Sequence, residues 1–183
     1  MTKVHLCCGD VYLKDYINVD TYGDLVHLVP ENINETTLDK YYTKELYDYR
    51  RPIVDRLMQL PEQWDYEANT VDEFLMICGL EHFPHKDALT LIERINDSLK
   101  PGGVFRFDFP NIIETVNRYK FTDPELMMRL IYGSGKNYYA YHKWGYTKSS
   151  IEGALNNSRP WSEIIFEETI AHEYPMIGVK AVK

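Results

Sequence analysis

The feature that most constrains this chain is a strand–helix–strand pattern over residues 71–111. It opens with the apolar run FLMI at residues 74–77, which is short and continuous, as in a strand covered on both faces of a parallel sheet. Apolar residues then recur at positions 88, 92, 95 and 99, the spacing of one helix face. Pro101-Gly102-Gly103 ends the predicted helix, and a strand over 104–109 follows. The pattern indicates a βαβ unit with a right-handed crossover.

Length and composition favour one globular domain, and we expect it to span residues 1–183. Hydrophobic residues make up 44% and charged residues 26%, as in soluble proteins. The net charge of −8 argues against a nucleic-acid backbone as the partner. No apolar run approaches the roughly 20 residues that span a membrane, and no signal-peptide pattern is visible. We therefore expect a cytoplasmic protein that binds neither nucleic acid nor membrane, with its oligomeric state open.

The cysteines and histidines give no metal-binding motif along the sequence. Cys7 and Cys8 are neighbours in or beside a predicted strand, so their side chains should point to opposite faces. Together with Cys78 they are interpreted as reduced, buried thiols. No cluster of carboxylates and histidines has the sequence spacing of metal ligands. The sequence therefore predicts no required metal.

An acidic residue ends the second predicted strand, residues 16–20, which follows a first strand at 4–8 and a turn at Gly9. In nucleotide-binding α/β folds the turn after the first strand approaches the ligand, and an acid such as Asp20 accepts hydrogen bonds from ribose hydroxyls. Asp20 follows Gly9 by only 11 positions, too few for the usual crossover helix. We expect no helix longer than about two turns there. An ordinary turn and a strand-end cap are the alternative for Gly9 and Asp20.

Local signals predict further elements. Asp123-Pro124 has the residue types of a helix N-cap and first position, and Thr147 or Ser149 should cap a helix that runs to about Leu155. A tyrosine-rich helix is expected within 37–49, and the last two strands at 164–166 and 176–182. Arg106 and Asp108 share a face of the strand over 104–109, where opposite charges can pair.

Taken together, the motifs resemble class I S-adenosylmethionine-dependent methyltransferases, in particular their small type 11-like branch. Leu80-Glu81-His82-Phe83, a helix, and then Leu99-Lys100-Pro101-Gly102-Gly103 are similar to the family's LEH and LKPGG motifs. Residues 6–10 resemble its Leu-Gly-Cys-Gly turn, with Cys7 replacing the first glycine, and Asn18-Val19-Asp20 its Asn-Val-Asp. The resemblance implies a three-layer α/β Rossmann-like fold with a mostly parallel sheet, a shortened first helix and a terminal antiparallel strand.

The resemblance also implies the cofactor, S-adenosylmethionine, and the residues that hold it. These are Cys7, Gly9, Asp20, Asp55, Leu80 and Glu81. Asp55, at the end of a third predicted strand over 53–55, would lie near the adenine amino group. Glu81 would orient its loop and contact the methionine part, and acid–base work by the Glu81-His82 pair is the alternative.

An aromatic loop over 135–146, bounded by glycines, is expected to form a wall for a small polar acceptor, although a packed surface loop has the same composition. Its His142-Lys143 before Gly-Tyr-Thr matches the family pattern. The expected substrate contacts are Asn111, Tyr138, Tyr141 and Trp144, and the candidate bases are His142 and then His82. The expected function is methyl transfer to a small acceptor, such as a sugar hydroxyl. The alternative is a decayed methyltransferase fold that acts as a binding or scaffold module.

Overall fold

A computed structural model describes residues 1–9, 11–28, 52–167 and 174–183. The strands in these ranges are β1 (Lys3–Leu6), β2 (Ile17–Asp20), β3 (Asp24–Leu25), β4 (Ile53–Val54), β5 (Arg56–Leu57), β6 (Val71–Ile77), β7 (Leu99–Pro110), β8 (Glu163–Glu167) and β9 (Met176–Val182). The α-helices are α1 (His85–Ser98), α2 (Ile112–Tyr119), α3 (Pro124–Tyr132) and α4 (Lys148–Ser158). The helix expected within 37–49 lies outside the described residues.

Seven strands form one sheet in the order β5-β2-β1-β6-β7-β9-β8. The pairs from β5 to β7 are parallel, whereas β9 runs antiparallel to both β7 and β8. The chain therefore reaches the sheet edge with β8 and inserts its last strand beside β7. This arrangement confirms the predicted Rossmann-like α/β fold. Strands β3 and β4 form a separate parallel pair.

The core is built around the predicted βαβ unit, β6–α1–β7. Helix α1 fully buries Ala88, Ile92 and Ile95, which are members of the apolar stripe read from the sequence. Along β7 the alternate side chains Phe105, Phe107 and Phe109 are also fully buried, as the strand period of two requires. Burying each such ring contributes about 1.5–3 kcal/mol relative to an exposed one. This unit therefore sets the position of the neighbouring strand ends.

Strand β7 begins earlier than the sequence predicts. It starts at Leu99, directly after α1, and includes the Pro101–Gly103 segment. Leu99 pairs with Val71, and the register then shifts so that Val104 pairs with Glu73. The prolyl-glycine segment thus forms an irregular strand start rather than a separate turn.

The connection from β1 to β2 contains no helix in its described residues, 11–16, as expected from its length. The buried Asn18 side chain supports this short loop in place of a helix. Its oxygen accepts from the Leu13 N–H at 2.9 Å, and its amide donates to the carbonyls of Leu13 and Tyr16 at 2.9 and 3.0 Å. The predicted shortening of the first helix is confirmed, and β1 ends directly at a ligand-sized space.

Helices α3 and α4 begin where the sequence predicts. The Asp123 side chain accepts from the Leu126 N–H at 3.0 Å, and Gly133 follows the helix with φ of 83°. Thr147 and Ser150 form a capping box for α4, which continues to Ser158, beyond the expected end. The described part of the chain has no helix long and apolar enough to cross a membrane.

Candidate functional site

A cavity of about 560 Å³ lies at the carboxyl ends of β1, β2, β6 and β7. This volume is within the range of small-molecule sites, and this sheet edge is where open α/β folds bind ligands. Several predicted donor residues line it: Cys7, Gly9, Asp20 and Glu81. Three residues predicted for the acceptor side line it too: His82, Tyr138 and His142.

The turn after β1 is held against the end of β2. The Gly9 N–H donates to Asp20 Oδ2 at 2.9 Å, and the Cys8 N–H donates to the Val19 carbonyl at 3.1 Å. Cys7 and Gly9 both have left-handed backbone, with φ of 53° and 54°. A Cβ on Gly9 would meet nothing within 4 Å, so this glycine is needed for its backbone angle and leaves open space beside it.

Glu81 lies in the short turn Leu80–His82 after β6 and is 2% exposed. Neither of its carboxylate oxygens has a hydrogen-bond partner among the described residues. Burial raises the pKa of Glu81 to about 8, and the nearby Asp108 carboxylate adds to the shift. A buried carboxylate is stable as an anion only with a cation or donors beside it. Glu81 is therefore the group in the cavity that most needs a partner.

The prediction that Arg106 pairs with Asp108 is wrong. Asp108 Oδ1 accepts from the Cys78 N–H at 2.8 Å and so supports the turn after β6, while Arg106 lies 3.7 Å from Glu167 of β8. Burial raises the pKa of Asp108 to about 6. Cross-strand neighbours, which the chain order does not reveal, decide both partners.

His82 and His142 lie side by side in the cavity, with ring centroids 4.9 Å apart and ring planes at 77°. The Nδ1 of His82 lies 3.1 Å from the Tyr141 carbonyl, and that of His142 lies 3.2 Å from the Ile131 carbonyl. Because a carbonyl can only accept, each Nδ1 carries the proton and each Nε2 keeps a lone pair. Burial lowers the pKa of both rings, that of His142 to about 4, with His82 adding to the latter shift. Both rings are therefore neutral at pH 7.

Backbone hydrogen bonds place His142 opposite Glu81. The Lys143 and Trp144 N–H groups both donate to the Glu81 carbonyl, at 2.8 and 3.2 Å. The His142 N–H donates to the Tyr132 carbonyl at the end of α3, at 3.0 Å. The aromatic loop is thus attached to the turn after β6. As a result, one carboxylate oxygen of Glu81 and one ring nitrogen each of His82 and His142 lie within 4.8 Å of one another, which is a possible set of metal ligands. The sequence analysis did not identify this cluster, because it considered only spacing along the chain.

Two predicted site residues have structural roles outside the cavity. The Asp55 carboxylate accepts from the Tyr12 hydroxyl at 2.8 Å and from the Asn18 N–H at 2.7 Å, which fixes the junction between β4 and β5. The predicted third strand is therefore two short ones, and only β5 joins the large sheet. The Asn111 side chain accepts from the Glu114 N–H at 3.1 Å and caps α2, a helix that the sequence analysis missed.

Three further predicted residues do not line the cavity. Leu80 is fully buried in the core. Trp144 stacks on His85 of α1 at a centroid distance of 4.6 Å. The Tyr141 side chain is half exposed, and its carbonyl rather than its ring contacts the site, through His82. In an irregular loop the sequence does not show which side chains point inward.

Three tyrosines that the sequence analysis did not select also line the cavity: Tyr22, Tyr139 and Tyr174. Tyr22 and Tyr139 stack with ring centroids 5.9 Å apart. Tyr139 contacts Tyr138 edge-on at 5.5 Å, so three rings form an aromatic wall, defined here as Tyr22, Tyr138 and Tyr139. The position of Tyr22, two residues after Asp20 at the carboxyl edge, is the signal that could have indicated it.

No protein-family model and no curated protein matches the chain. Solved structures do match its whole length. A S-adenosylmethionine-dependent methyltransferase from Mesorhizobium loti has a TM-score of 0.56 at 14% identity, over 100% of this chain and 90% of its own. SAM-dependent methyltransferases from Archaeoglobus fulgidus and Aquifex aeolicus both have TM-scores of 0.54, at 10% and 14% identity, over 100% of this chain and 86% and 81% of theirs. Identities this low show the fold alone: the chain has the class I fold of S-adenosylmethionine-dependent methyltransferases.

Proposed function

We propose that this protein transfers a methyl group from S-adenosylmethionine to a hydroxyl of a small metabolite. The observation that carries the proposal is that one cavity joins two sets of residues predicted separately. Cys7, Gly9 and Asp20 come from the donor motifs, and His82 and His142 come from the motifs assigned to chemistry. Membership of the small type 11-like branch is part of the proposal.

The residues at the end of β1 and β2 fit the donor. The left-handed backbone at Cys7 and Gly9 turns the chain away from the sheet edge and leaves open space above Gly9. Asp20 borders that space with its carboxylate oriented by the Gly9 N–H, as expected for a group that accepts from ribose hydroxyls. When bound, S-adenosylmethionine would supply an electrophilic methyl group on a sulfonium, and Asp20 would hold its ribose.

The acceptor side fits a small molecule with hydroxyl groups. The aromatic wall offers apolar ring surface against which the apolar face of a sugar or a similar ring can pack. His82 and His142 are neutral at pH 7, with Nε2 lone pairs available to a hydroxyl. These features favour O-methylation of a saccharide or related metabolite.

The test has two measurements. Calorimetry with S-adenosylhomocysteine should show binding to one site per chain, and NAD should give no binding heat. Incubation with methyl-labelled S-adenosylmethionine and a panel of sugars and hydroxylated metabolites should transfer label to at least one of them. Binding without transfer to any hydroxyl compound would remove the acceptor assignment. Absence of donor binding in a folded protein would favour the scaffold alternative and overturn the proposal.

A further inference from the structure

We propose that Glu81, His82 and His142 bind a divalent transition-metal ion such as Zn²⁺, and that the ion binds the acceptor hydroxyl. Ion binding follows from the geometry alone, whereas the role of the ion toward an acceptor rests on the proposed function. The inference reassigns Glu81 from the donor to the ion, and His142 from base to ligand.

The three side chains have suitable spacing and chemistry. Their ligand atoms lie within 4.8 Å of one another. Tetrahedral ligands at zinc–nitrogen and zinc–oxygen distances lie about 3.4 Å apart, a difference that small side-chain rotations can close. Two imidazoles and one carboxylate suit zinc and related transition metals better than Mg²⁺. Three protein ligands also leave a position open, as catalytic zinc sites do.

The histidines are already oriented as metal ligands usually are. Each ring donates its Nδ1–H to a backbone carbonyl, that of Tyr141 for His82 and that of Ile131 for His142. In metal sites this bond on the far nitrogen fixes the tautomer and aims the other nitrogen at the ion. The paired hydrogen bonds from the aromatic loop to the Glu81 carbonyl hold the carboxylate-bearing turn and the His142 segment together.

Glu81 supplies an independent observation that points to a cation. The residue is 2% exposed, and neither carboxylate oxygen has a hydrogen-bond partner among the described residues. The nearby Lys143 does not answer this need, because its ammonium lies over the Tyr138 ring, 4.0 Å from the centroid. A carboxyl group buried without a partner is held in its neutral form, and an ion between it and the two imidazoles would let it ionise and would satisfy its oxygens.

An ion at this position would address the main chemical difficulty of O-methylation, the high pKa of an alcohol. A hydroxyl bound to a divalent ion releases its proton to solvent water more readily, and the oxygen keeps the electron pair as a nucleophile. The ion would lie in the cavity that the donor residues at the end of β2 and the aromatic wall also line. The acceptor oxygen would therefore be oriented and activated by the same contact.

The experiment measures ion binding without reference to activity. Purified protein stripped with chelator is titrated with Zn²⁺ by calorimetry and with Co²⁺ by visible absorption. One ion per chain is expected, with a Co²⁺ spectrum of nitrogen and oxygen ligands, and excess Mg²⁺ should not displace it. Glu81→Gln, His82→Gln and His142→Gln should each weaken binding by roughly 100-fold, at least as much as loss of a supporting hydrogen bond does. His27→Gln, at an exposed histidine, is the matched control and should bind as the wild type does.

The inference is overturned if the wild type binds no ion, or if the three variants bind as tightly as His27→Gln. A sulfur-to-cobalt charge-transfer band would also overturn it, since it would place the ion on the cysteines. Circular dichroism and melting temperature check that each variant folds, and the partly exposed His82→Gln decides the matter if the buried Glu81→Gln does not fold. Calorimetry with S-adenosylhomocysteine in the presence of chelator tests the proposed function separately. If the protein binds the donor product but no ion, only the metal site is overturned. If it binds the ion but not the donor product, only the donor assignment is overturned.

Discussion

Lowering the pH from about 7.5 to about 5 should remove most of the stability that one buried side chain contributes, the imidazole of His5 in β1. His5 is 1% exposed, and its Nδ1 lies 3.2 Å from the Asn18 side-chain oxygen. The nearest aromatic ring, that of Tyr16, is edge-on at 6.3 Å. Burial lowers the pKa of His5 from 6.5 to about 4, and the Asn18 hydrogen bond only partly offsets this.

The sign and size follow from proton binding. The unfolded chain takes up the His5 proton below pH 6.5, whereas the folded protein does so only near pH 4. The contribution of His5 to the free energy of unfolding is therefore complete above pH 6.5 and is lost as the pH is lowered toward 4. One pKa unit corresponds to about 1.36 kcal/mol, so the whole change is about 3 kcal/mol, of which about 2 kcal/mol is lost at pH 5.

The assay is urea unfolding followed by tryptophan fluorescence at several pH values, for the wild type and for His5→Asn. Asparagine keeps a donor near the Asn18 oxygen but does not titrate. The buried carboxyls of Asp108 and Glu81, whose pKa values are raised to about 6 and about 8, together contribute a term of opposite sign, since their protonation stabilises the folded state as the pH falls. The comparison between the two proteins cancels that term. The free-energy difference between them should change by about 2 kcal/mol from pH 7.5 to pH 5, and parallel profiles would refute the reasoning.

Three further predictions concern the site and its supports. Asp20→Ala should weaken S-adenosylhomocysteine binding by about 1.5–3 kcal/mol in calorimetry. The control Asp55→Asn, once shown to fold, should bind as the wild type does. Equal losses of affinity in the two variants would show that Asp20 does not bind the ribose. His142→Ala should lower the methyl-transfer rate by roughly 10²–10⁴-fold with donor affinity unchanged, whether the ring acts as the base or holds the ion that activates the acceptor. A rate equal to the wild type's would show that the ring only packs the loop. Gly153 lies in α4 with open space beside it, so Gly153→Ala should stabilise the fold by about 0.5–1 kcal/mol in urea unfolding. Gly133→Ala should destabilise the fold, because its Cβ would meet the Ala140 carbonyl. A change of the same sign for both variants would contradict the close contact between Gly133 and Ala140.

Features encoded in adjacent residues could be predicted from the sequence. The cap and first position of α3, Asp123 and Pro124, are neighbours, and the capping box of α4 spans only Thr147 to Ser150. The short connection before Asp20 follows from counting residues. The inserted terminal strand, by contrast, was predicted from the family resemblance, because strand order depends on pairing between distant segments.

Roles that depend on distant partners could not be predicted. Asn111 has the residue type of a substrate-binding group and of a helix cap alike, and only the start of α2 decides between them. Asp55 could have faced the ligand, but its two oxygens accept from the Tyr12 hydroxyl in the loop before β2 and from the Asn18 N–H of β2. The cluster of Glu81 with His142 required knowledge that the aromatic loop returns to the turn after β6. These are contacts between elements, for which sequence periodicity carries no signal.

The attachment of the aromatic loop has a consequence for how this protein can change over evolution. Its bonds to the Glu81 carbonyl come from the backbone N–H groups of Lys143 and Trp144, and that of His142 bonds the end of α3. The rings of Tyr138 and Tyr139 do not form these backbone hydrogen bonds. Substitutions at these tyrosines would alter the shape of the cavity wall while His142 stays in place. Under the proposed function, new acceptor preferences would therefore be accessible by single substitutions that leave the chemistry intact.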